Sequence, residues 1–298
     1  MTKLQTFTSY LIAKDYSKQS IKEYNRAATV FCHWLKKRKL EPQQVTHNQI
    51  MDYIKRLKRR GVSMAGISNG LNYIKAYYRY LKSINQVTTN PAVGIKLQGV
   101  KTQKLHHILK PAELSLIYQS YPYKAPHKRA SAEQMEFTRL RYQSMLGLLI
   151  YQGIRTSELA RIQLQHININ GGTITIAWSP KGNERILQFA PNQIIGFHQF
   201  LMHDYSVKTE EEHLFYNGKL PSINNATTYL LRKVKKEFPE ITSYSQMRTS
   251  VVTEWIKSVG LRKAQYMAGH RYVSSTERYQ VNDLETLQNE VNLYQPVL

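Results

Sequence analysis

The sequence predicts a mainly α protein with one small antiparallel β-sheet, divided into a helical N-terminal domain and a mixed α/β C-terminal domain. Three observations predict it. Apolar residues recur at spacings of three and four through residues 20–81 and again within 136–152 and 225–236, as amphipathic helices require. Between residues 173 and 189 the period changes to two, beside turn signals at Asn170-Gly171-Gly172 and Pro180-Lys181-Gly182. The charge is also unevenly divided. Residues 1–104 carry 20 Lys and Arg against 4 Asp and Glu, whereas 105–298 carry 22 against 16.

At 298 residues the chain has the length of two ordinary domains. We expect a helical domain over 1–91, a linker over 92–107 and a second domain over 108–298. A net charge of +22 points to a polyanionic partner. A membrane surface competes for that role, but no stretch approaches the roughly 18 apolar residues of a spanning helix. The N-terminus lacks a signal-peptide pattern, so no membrane partner and a cytoplasmic location are expected. The single cysteine, Cys32, sits among apolar helix positions and reads as packing; no Cys/His cluster has zinc spacing, so no metal site is expected.

Four helices are expected in the first domain. The first covers Thr6 to Lys14. Ser20-x-x-Glu23 has capping-box spacing and opens a stripe of Ile21, Tyr24, Ala28, Phe31 and Leu35. That helix runs out into Lys36-Lys37-Arg38-Lys39, which suits a solvated helix end as well as a phosphate contact. Thr46-x-x-Gln49 is a second capping box, leading to Ile50, Tyr53, Ile54 and Leu57. This helix ends in Lys55, Arg56, Lys58, Arg59 and Arg60 before Gly61. Ser63 caps a fourth, with Ile67, Leu71, Ile74, Tyr78 and Leu81 inside and Lys75, Arg79 and Lys82 off the stripe. Lys55, Arg56, Arg59, Lys75, Arg79 and Lys82 are the candidate phosphate contacts of a basic bundle face. Thr88-Thr89-Asn90-Pro91 ends the domain, and the Gly- and Lys-containing residues 92–107 read as an exposed basic linker.

In the second domain Pro111 starts a helix, residues 121–134 read as a loop, and a long helix runs from Glu136 to Gln152. Gly153-Ile154-Arg155-Thr156-Ser157-Glu158-Leu159 follows, placing Arg155 between two helices, where a phosphate could meet a guanidinium fork and free N–H groups together. A hairpin follows with Lys181 at its tip and Arg185, a weaker phosphate candidate, on its second strand. Helices over 192–204 and Asn225 to Lys236 come next, with an acidic turn at Glu210-Glu211-Glu212 and a buried anchor at Leu214-Phe215 between them. Ser243 to Ser250 then leads into a helix closed by Gly260. A short helix closed by Gly269 precedes His270, Ser274 and Glu277 have capping-box spacing, and Tyr279 lies nine residues beyond His270.

Gly153-Ile154-Arg155-Thr156-Ser157-Glu158-Leu159, the Lys181-Gly182 tip, Ser245-Gln246-Met247-Arg248-Thr249 and Gly269-His270 with Tyr279 together resemble, in order, the motif boxes of the tyrosine recombinase (phage integrase) family. The length is similar to its Xer-type two-domain members, without room for the extra arm-binding domain of larger phage integrases. The resemblance implies a SAM-like helical core-binding domain that clamps DNA and a mixed α/β catalytic domain. It implies a site-specific recombinase, integrase- or transposase-like, in which Tyr279 attacks the DNA phosphate to give a 3′-phosphotyrosyl intermediate. Arg155 and Arg248 would stabilise the phosphate charge, Lys181 would protonate the leaving 5′-oxygen and His270 would hydrogen-bond the phosphate. No cofactor, metal or ATP is implied. The partners implied are double-stranded DNA and three further copies, a dimer per site and a homotetramer on paired sites, acting at the nucleoid.

Ser245 stands where the family usually has His. A serine hydroxyl can bond a phosphate oxygen but is a poor base, so Ser245 is a candidate phosphate contact only. Two alternatives stand beside the recombinase: a DNA-binding protein on the same fold with weak or lost cleavage, and a type IB topoisomerase-like relaxing enzyme. Apolar residues Leu284, Leu287, Val291 and Leu293 predict a final helix that packs on a neighbouring protomer or in cis.

Overall fold

The computed structural model describes residues 3–99, 107–121, 131–203, 213–216 and 221–280, with the side chains of residues 3–5 excepted. The chain divides into two compact units, Met1–Lys104 and Leu105–Leu298. The first holds helices α1 (Lys3–Ala13), α2 (Lys18–Lys37), α3 (His47–Arg59) and α4 (Met64–Ser83). The second holds α5 (Pro111–Gln119), α6 (Ala132–Ile150), α7 (Thr156–Leu159), strands β1 (Ile167–Asn168), β2 (Thr173–Ile176) and β3 (Arg185–Gln188), then α8 (Pro191–Met202), α9 (Ile223–Glu237), α10 (Tyr244–Ala268) and α11 (Val273–Glu277). The fold is mainly helical with one three-stranded antiparallel sheet, as expected.

The first unit is built by its apolar stripes. Phe7, Leu11, Phe31, Leu35, Ile50, Ile54, Ile67, Ile74, Tyr78 and Leu81 are all buried in one core. Each such side chain contributes on the order of 2 kcal/mol by leaving water. The capping box at α3 is present, with Thr46 N donating to Gln49 Oε1 at 2.6 Å. Ser63 caps α4 by accepting from Gly66 N at 3.2 Å. At α2 the expected cap is displaced by three residues. Ser17 accepts from Ser20 N at 3.2 Å, so Lys18 to Ser20 form an added first turn and Glu23 pairs with Arg26 instead. Cys32 is half-buried and packs beside Tyr77.

Residues 92–97 are not part of an exposed linker. Ala92 and Ile95 are buried in the first unit's core and Leu97 packs against it. The turn is held by polar bonds: Asn90 Nδ2 donates to Lys75 O at 3.0 Å and Lys75 Nζ to Ile95 O at 3.1 Å. Two apolar residues outweigh the Gly and Lys content that suggested a linker.

In the second unit α6 is the central helix. It starts at Ala132, four residues before the expected position, because Ser131 caps it, its Oγ accepting from Gln134 N. It carries Leu140, Met145, Leu146, Leu148, Leu149 and Ile150 into a core shared with Phe189, Phe197, Phe200 and Phe215. Arg141 on this helix is also buried, its guanidinium donating to Phe215 O and Pro221 O. Leu214 and Phe215 form the expected anchor, Leu214 N donating to Ile162 O. The sheet pairs Ile174 with Leu187 and Ile176 with Arg185, so the inward register position next to Leu187 belongs to Arg185. The expected acidic turn at Glu210 to Glu212, residues 122–130 and the tail beyond Gln280 lie outside the described residues.

Helix α10 contains the box around Arg248. Ser243 caps it, accepting from Gln246 N at 3.2 Å. Gly260, at φ +80°, breaks it into two segments, as the sequence predicts. The second segment ends at Gly269, which has φ +65° and accepts no substitute on two counts. A Cβ there would strain the left-handed backbone and would sit 2.5 Å from Arg185 Nη1. The last helix differs from expectation: α11 begins after Tyr272, Ser274 lies inside it, and Tyr279 sits in the turn beyond its end.

Candidate active site

Arg155, Arg248, His270 and Tyr279 come together in the second unit, around a buried carboxylate that sequence reading had only as a neighbour of Arg155. Glu158, on α7, is 3% exposed. Its Oε1 accepts from Arg155 Nη1 at 2.9 Å and Arg185 Nη1 at 3.0 Å. Its Oε2 accepts from Arg155 N at 2.8 Å and Arg185 Nη2 at 2.9 Å. Four donors use the lone pairs of both oxygens. Burial pushes the carboxyl up, but the Arg185 fork, then Arg155, outweighs it and holds the group down at about 2.

Arg185 is therefore a structural residue, which corrects its reading as a phosphate candidate. Its side chain is wholly buried, and Nε donates to Met267 O at 2.8 Å. Arg155 is different. Its side chain is 25% exposed and only part of its fork is used by Glu158. The family-like spacing of Arg155 and Glu158 thus places one guanidinium at the surface by means of a carboxylate that a second, buried guanidinium neutralises.

Arg248 comes from the first turns of α10. It is 7% exposed, and it donates from Nη1 to Gly153 O and from Nη2 to Ala268 O, the latter at 2.7 Å. These carbonyls end the segments preceding Arg155 and His270, so Arg248 ties both boxes to its own. Burial, followed by the nearby Arg155, lowers its pKa to about 10, and it stays charged at neutral pH. His270 is buried too, with Nε2 3.3 Å from Arg248 Nη2 and Nδ1 2.9 Å from Thr276 Oγ1. Burial, then Arg248 and Arg155, pushes its pKa down to about 3, so the ring is neutral.

Tyr279 is half-buried, its ring stacked on His270 at a centroid distance of 5.5 Å and an interplanar angle of 19°. Its hydroxyl bears electrostatically on Arg248. Its backbone is held on both sides: Tyr279 N donates to Thr276 O at 2.9 Å and Thr253 Oγ1 to Tyr279 O at 3.4 Å.

Lys181 occupies the tip of the β2–β3 hairpin, closed by paired bonds between Ser179 and Gly182, with Pro180 suited to the second turn position. Its side chain is exposed, and among the described residues its ammonium makes no hydrogen bond or ion pair. The hairpin docks on the His270 turn through Asn183 N to Gly269 O at 3.1 Å. Arg271 adds a second link, lying over the Trp178 ring at 5.3 Å. Ser245 is exposed in the first turn of α10, one turn before Arg248, and its hydroxyl makes no hydrogen bond with the described residues.

Three guanidiniums against one carboxylate leave this cluster an excess of positive charge, before Lys181 is added. It is suited to an anion with two or more oxygens. Among the described residues no group of three or more His, Cys, Asp and Glu could hold a metal ion.

In the first unit Lys55, Arg59, Arg79 and Lys82 are exposed and Arg56 is half-buried. Lys55 lies 3.9 Å from Asp52. Lys75 is half-buried, with a donor spent on Ile95 O, so it is the least available of the six candidates. No described helix is long and apolar enough to cross a membrane.

The profile of the Phage integrase family matches residues 127–285, and that of the Phage integrase N-terminal SAM-like domain matches residues 4–85. The first covers more than half of the chain, which belongs to the phage integrase family. Tyrosine recombinase XerC of Anoxybacillus flavithermus is 25% identical over 288 residues, 93% of this chain and 91% of the relative. Tyrosine recombinase XerD of Rickettsia prowazekii is 27% identical over 291 residues, 92% of this chain and 90% of the relative. Among solved structures, the Tn1549 transposon integrase in complex with a circular intermediate DNA has a TM-score of 0.67 at 15% identity, covering 94% of this chain and 95% of its own. A lambda integrase tetramer bound to a Holliday junction has a TM-score of 0.61 at 15% identity, covering 91% and 77%. These likenesses show the shared fold, down to a helical SAM-like domain and an integrase catalytic domain.

Proposed function

We propose that this protein is a site-specific DNA recombinase that cleaves and rejoins strands through a phosphotyrosyl link at Tyr279. The observation that carries the reading is a connected cluster: a desolvated Arg248 meets a neutral His270, whose ring stacks on Tyr279, and a partly exposed Arg155 stands near enough to bear on His270. The names of the relatives favour it over a relaxing topoisomerase.

In this reading the scissile phosphate sits between the two arginines, whose planar forks take up charge that grows on its nonbridging oxygens. The Tyr279 oxygen attacks phosphorus as the bond to the 5′-oxygen breaks, and Lys181 gives that oxygen a proton. The covalent link keeps the phosphodiester energy, so rejoining needs no ATP, and the arginines supply the charge stabilisation without a metal. His270 bonds a phosphate oxygen, and Ser245 offers a further hydroxyl beside Arg248. Lys55, Arg56, Arg59, Arg79 and Lys82 contact the DNA backbone from the helical unit, with Lys75 contributing least. Four copies on paired sites, a dimer to each, complete the reaction, and the cytoplasmic nucleoid is its place of action.

The test is a nicked suicide duplex from the DNA flanking the gene, incubated without metal or ATP and run on a denaturing gel. An adduct that survives SDS and disappears in Tyr279→Phe, with DNA affinity within about twofold because one hydroxyl is removed, supports the reading. Equal loss of binding sinks the role of Tyr279. Tight binding of wild-type protein to cognate DNA without an adduct favours a DNA-binding protein that no longer cleaves.

A further inference from the structure

Thr276 joins the two residues that the proposed chemistry brings together. It is fully buried, with Oγ1 2.9 Å from His270 Nδ1 and its backbone oxygen accepting from Tyr279 N at 2.9 Å. On the other side of the ring Arg248 Nη2 stands 3.3 Å from His270 Nε2. A guanidinium can only donate, so Nε2 must accept. A neutral imidazole carries one proton, which is then on Nδ1 and points to Thr276 Oγ1.

That state does not suit an occupied site. The nonbridging oxygens of a phosphodiester are acceptors, and an Nε2 lone pair facing one is repelled. The ring bonds the phosphate only if Nε2 carries the proton. Nδ1 then becomes an acceptor and needs a donor in a place that water does not reach. A hydroxyl can serve either way by rotating about its C–O bond.

We propose that Thr276 is a positioning residue for strand transfer, whose hydroxyl accepts from Nδ1–H of His270 in the free protein and donates to Nδ1 when a DNA phosphate faces Nε2. The inference rests on the recombinase reading. The tautomer change moves one proton from Nδ1 to Nε2 with none gained or lost overall, so the ring stays neutral and no co-reactant is needed. Through its backbone the same residue keeps Tyr279 in step with the ring.

Two substitutions separate the hydroxyl from the packing. Thr276→Val keeps the branched shape and removes the hydroxyl; Thr276→Ser keeps the hydroxyl and removes the methyl. Long-range 15N imidazole spectra of the free full-length protein, with His270 identified by difference against His270→Gln, report the tautomer. The Nδ1–H pattern is expected in all three free proteins, because Arg248 still faces Nε2. With intact duplex bound, the Nε2–H pattern is expected in wild type and Thr276→Ser and is lost in Thr276→Val. With saturating nicked duplex, cleavage by Thr276→Val is expected to fall about tenfold or more, as for a lost buried hydrogen bond. Thr276→Ser stays within about threefold, and the DNA Kd of both is unchanged.

An Nε2–H pattern in the free wild-type protein overturns the proposal, and so does unaltered cleavage in Thr276→Val. Thr276→Ser as slow as Thr276→Val assigns the effect to packing and also overturns it. If Thr276→Val does not fold, wild type and Thr276→Ser still decide through their spectra and rates. Absence of any adduct with wild-type protein instead strikes the recombinase reading, while the free-state spectrum remains a separate result.

Discussion

The two flanks of the candidate site handle buried charge in opposite ways. On the side of α7 and β3, two guanidiniums share Glu158, and every lone pair of that carboxylate is used. On the side of α10 and α11, Arg248 is almost as buried yet, among the described residues, its fork bonds to two carbonyl oxygens and a neutral ring. In the first flank Glu158 neutralises the buried Arg185 within the fold and also holds Arg155. The second is a desolvated charge with no ion pair among the described residues, and in the proposed reaction an incoming phosphate supplies a counter-ion. A charge desolvated during folding interacts more strongly with its ligand than one still in water.

The largest effect should come from the uncompensated flank. Arg248→Ala is expected to lower the single-turnover cleavage rate by about 10²–10³-fold, the range for losing one preorganised donor to a developing oxyanion. DNA binding, carried by many other cations, should change far less. A rate within tenfold of wild type would break the comparison.

Glu158→Gln tests the other flank through stability. It leaves Arg185 buried without a counter-charge, a change that costs about 3–5 kcal/mol. The melting temperature of the second unit should fall by roughly 10 °C, more than in Arg248→Ala. A pH signature accompanies it. Glu158 is held at about 2 against an ordinary 4.5, so its contribution is full above pH 4.5 and is lost as pH falls toward 2. Such a shift corresponds to about 3 kcal/mol. Denaturant melts from pH 7 to 2 should show that loss in wild type, and a flatter slope in Glu158→Gln.

The helical unit should matter through salt instead. Replacing Lys55 and Arg59 together by Gln is expected to reduce the slope of log Kd against log salt by about two units. The smallest effect belongs to Ser245→His, which should leave cleavage unchanged or raise it, since the side chain is exposed and its hydroxyl bonds to none of the described residues. A severe loss, followed on the same nicked duplex, would show that the site has been rebuilt around serine.

The fold was legible because its elements are local: Thr46 with Gln49, Ser63 before Gly66, and the left-handed turns at Gly260 and Gly269 are set by residues close in sequence. Two nearby serines made the start of α2 ambiguous, and the longer helix prevailed. The candidate site residues were legible through their boxes. Their support was not. Arg185 looks like a surface cation until its register with Ile176 and its partner Glu158 are known, although its alternation with Leu187 was a usable signal. Thr276 was one hydroxyl residue among several, and only its place behind the His270 ring marks it out. Ala92 and Ile95 show the same limit in the helical unit, where two apolar residues in a Gly-containing stretch gave no period to read.

The central claim is that Tyr279 is the nucleophile of a site assembled by Arg155, Arg248 and His270. The most direct measurement is mass spectrometry of the tryptic peptides from an SDS-stable DNA adduct, after nuclease trimming. Residues 279–298 contain no Lys or Arg, so cleavage after Arg278 or Arg271 gives a peptide holding both Tyr279 and Tyr294, which fragmentation distinguishes. The account predicts the nucleotide mass on Tyr279. A nucleotide on any other residue, or an adduct that persists in Tyr279→Phe, would contradict it.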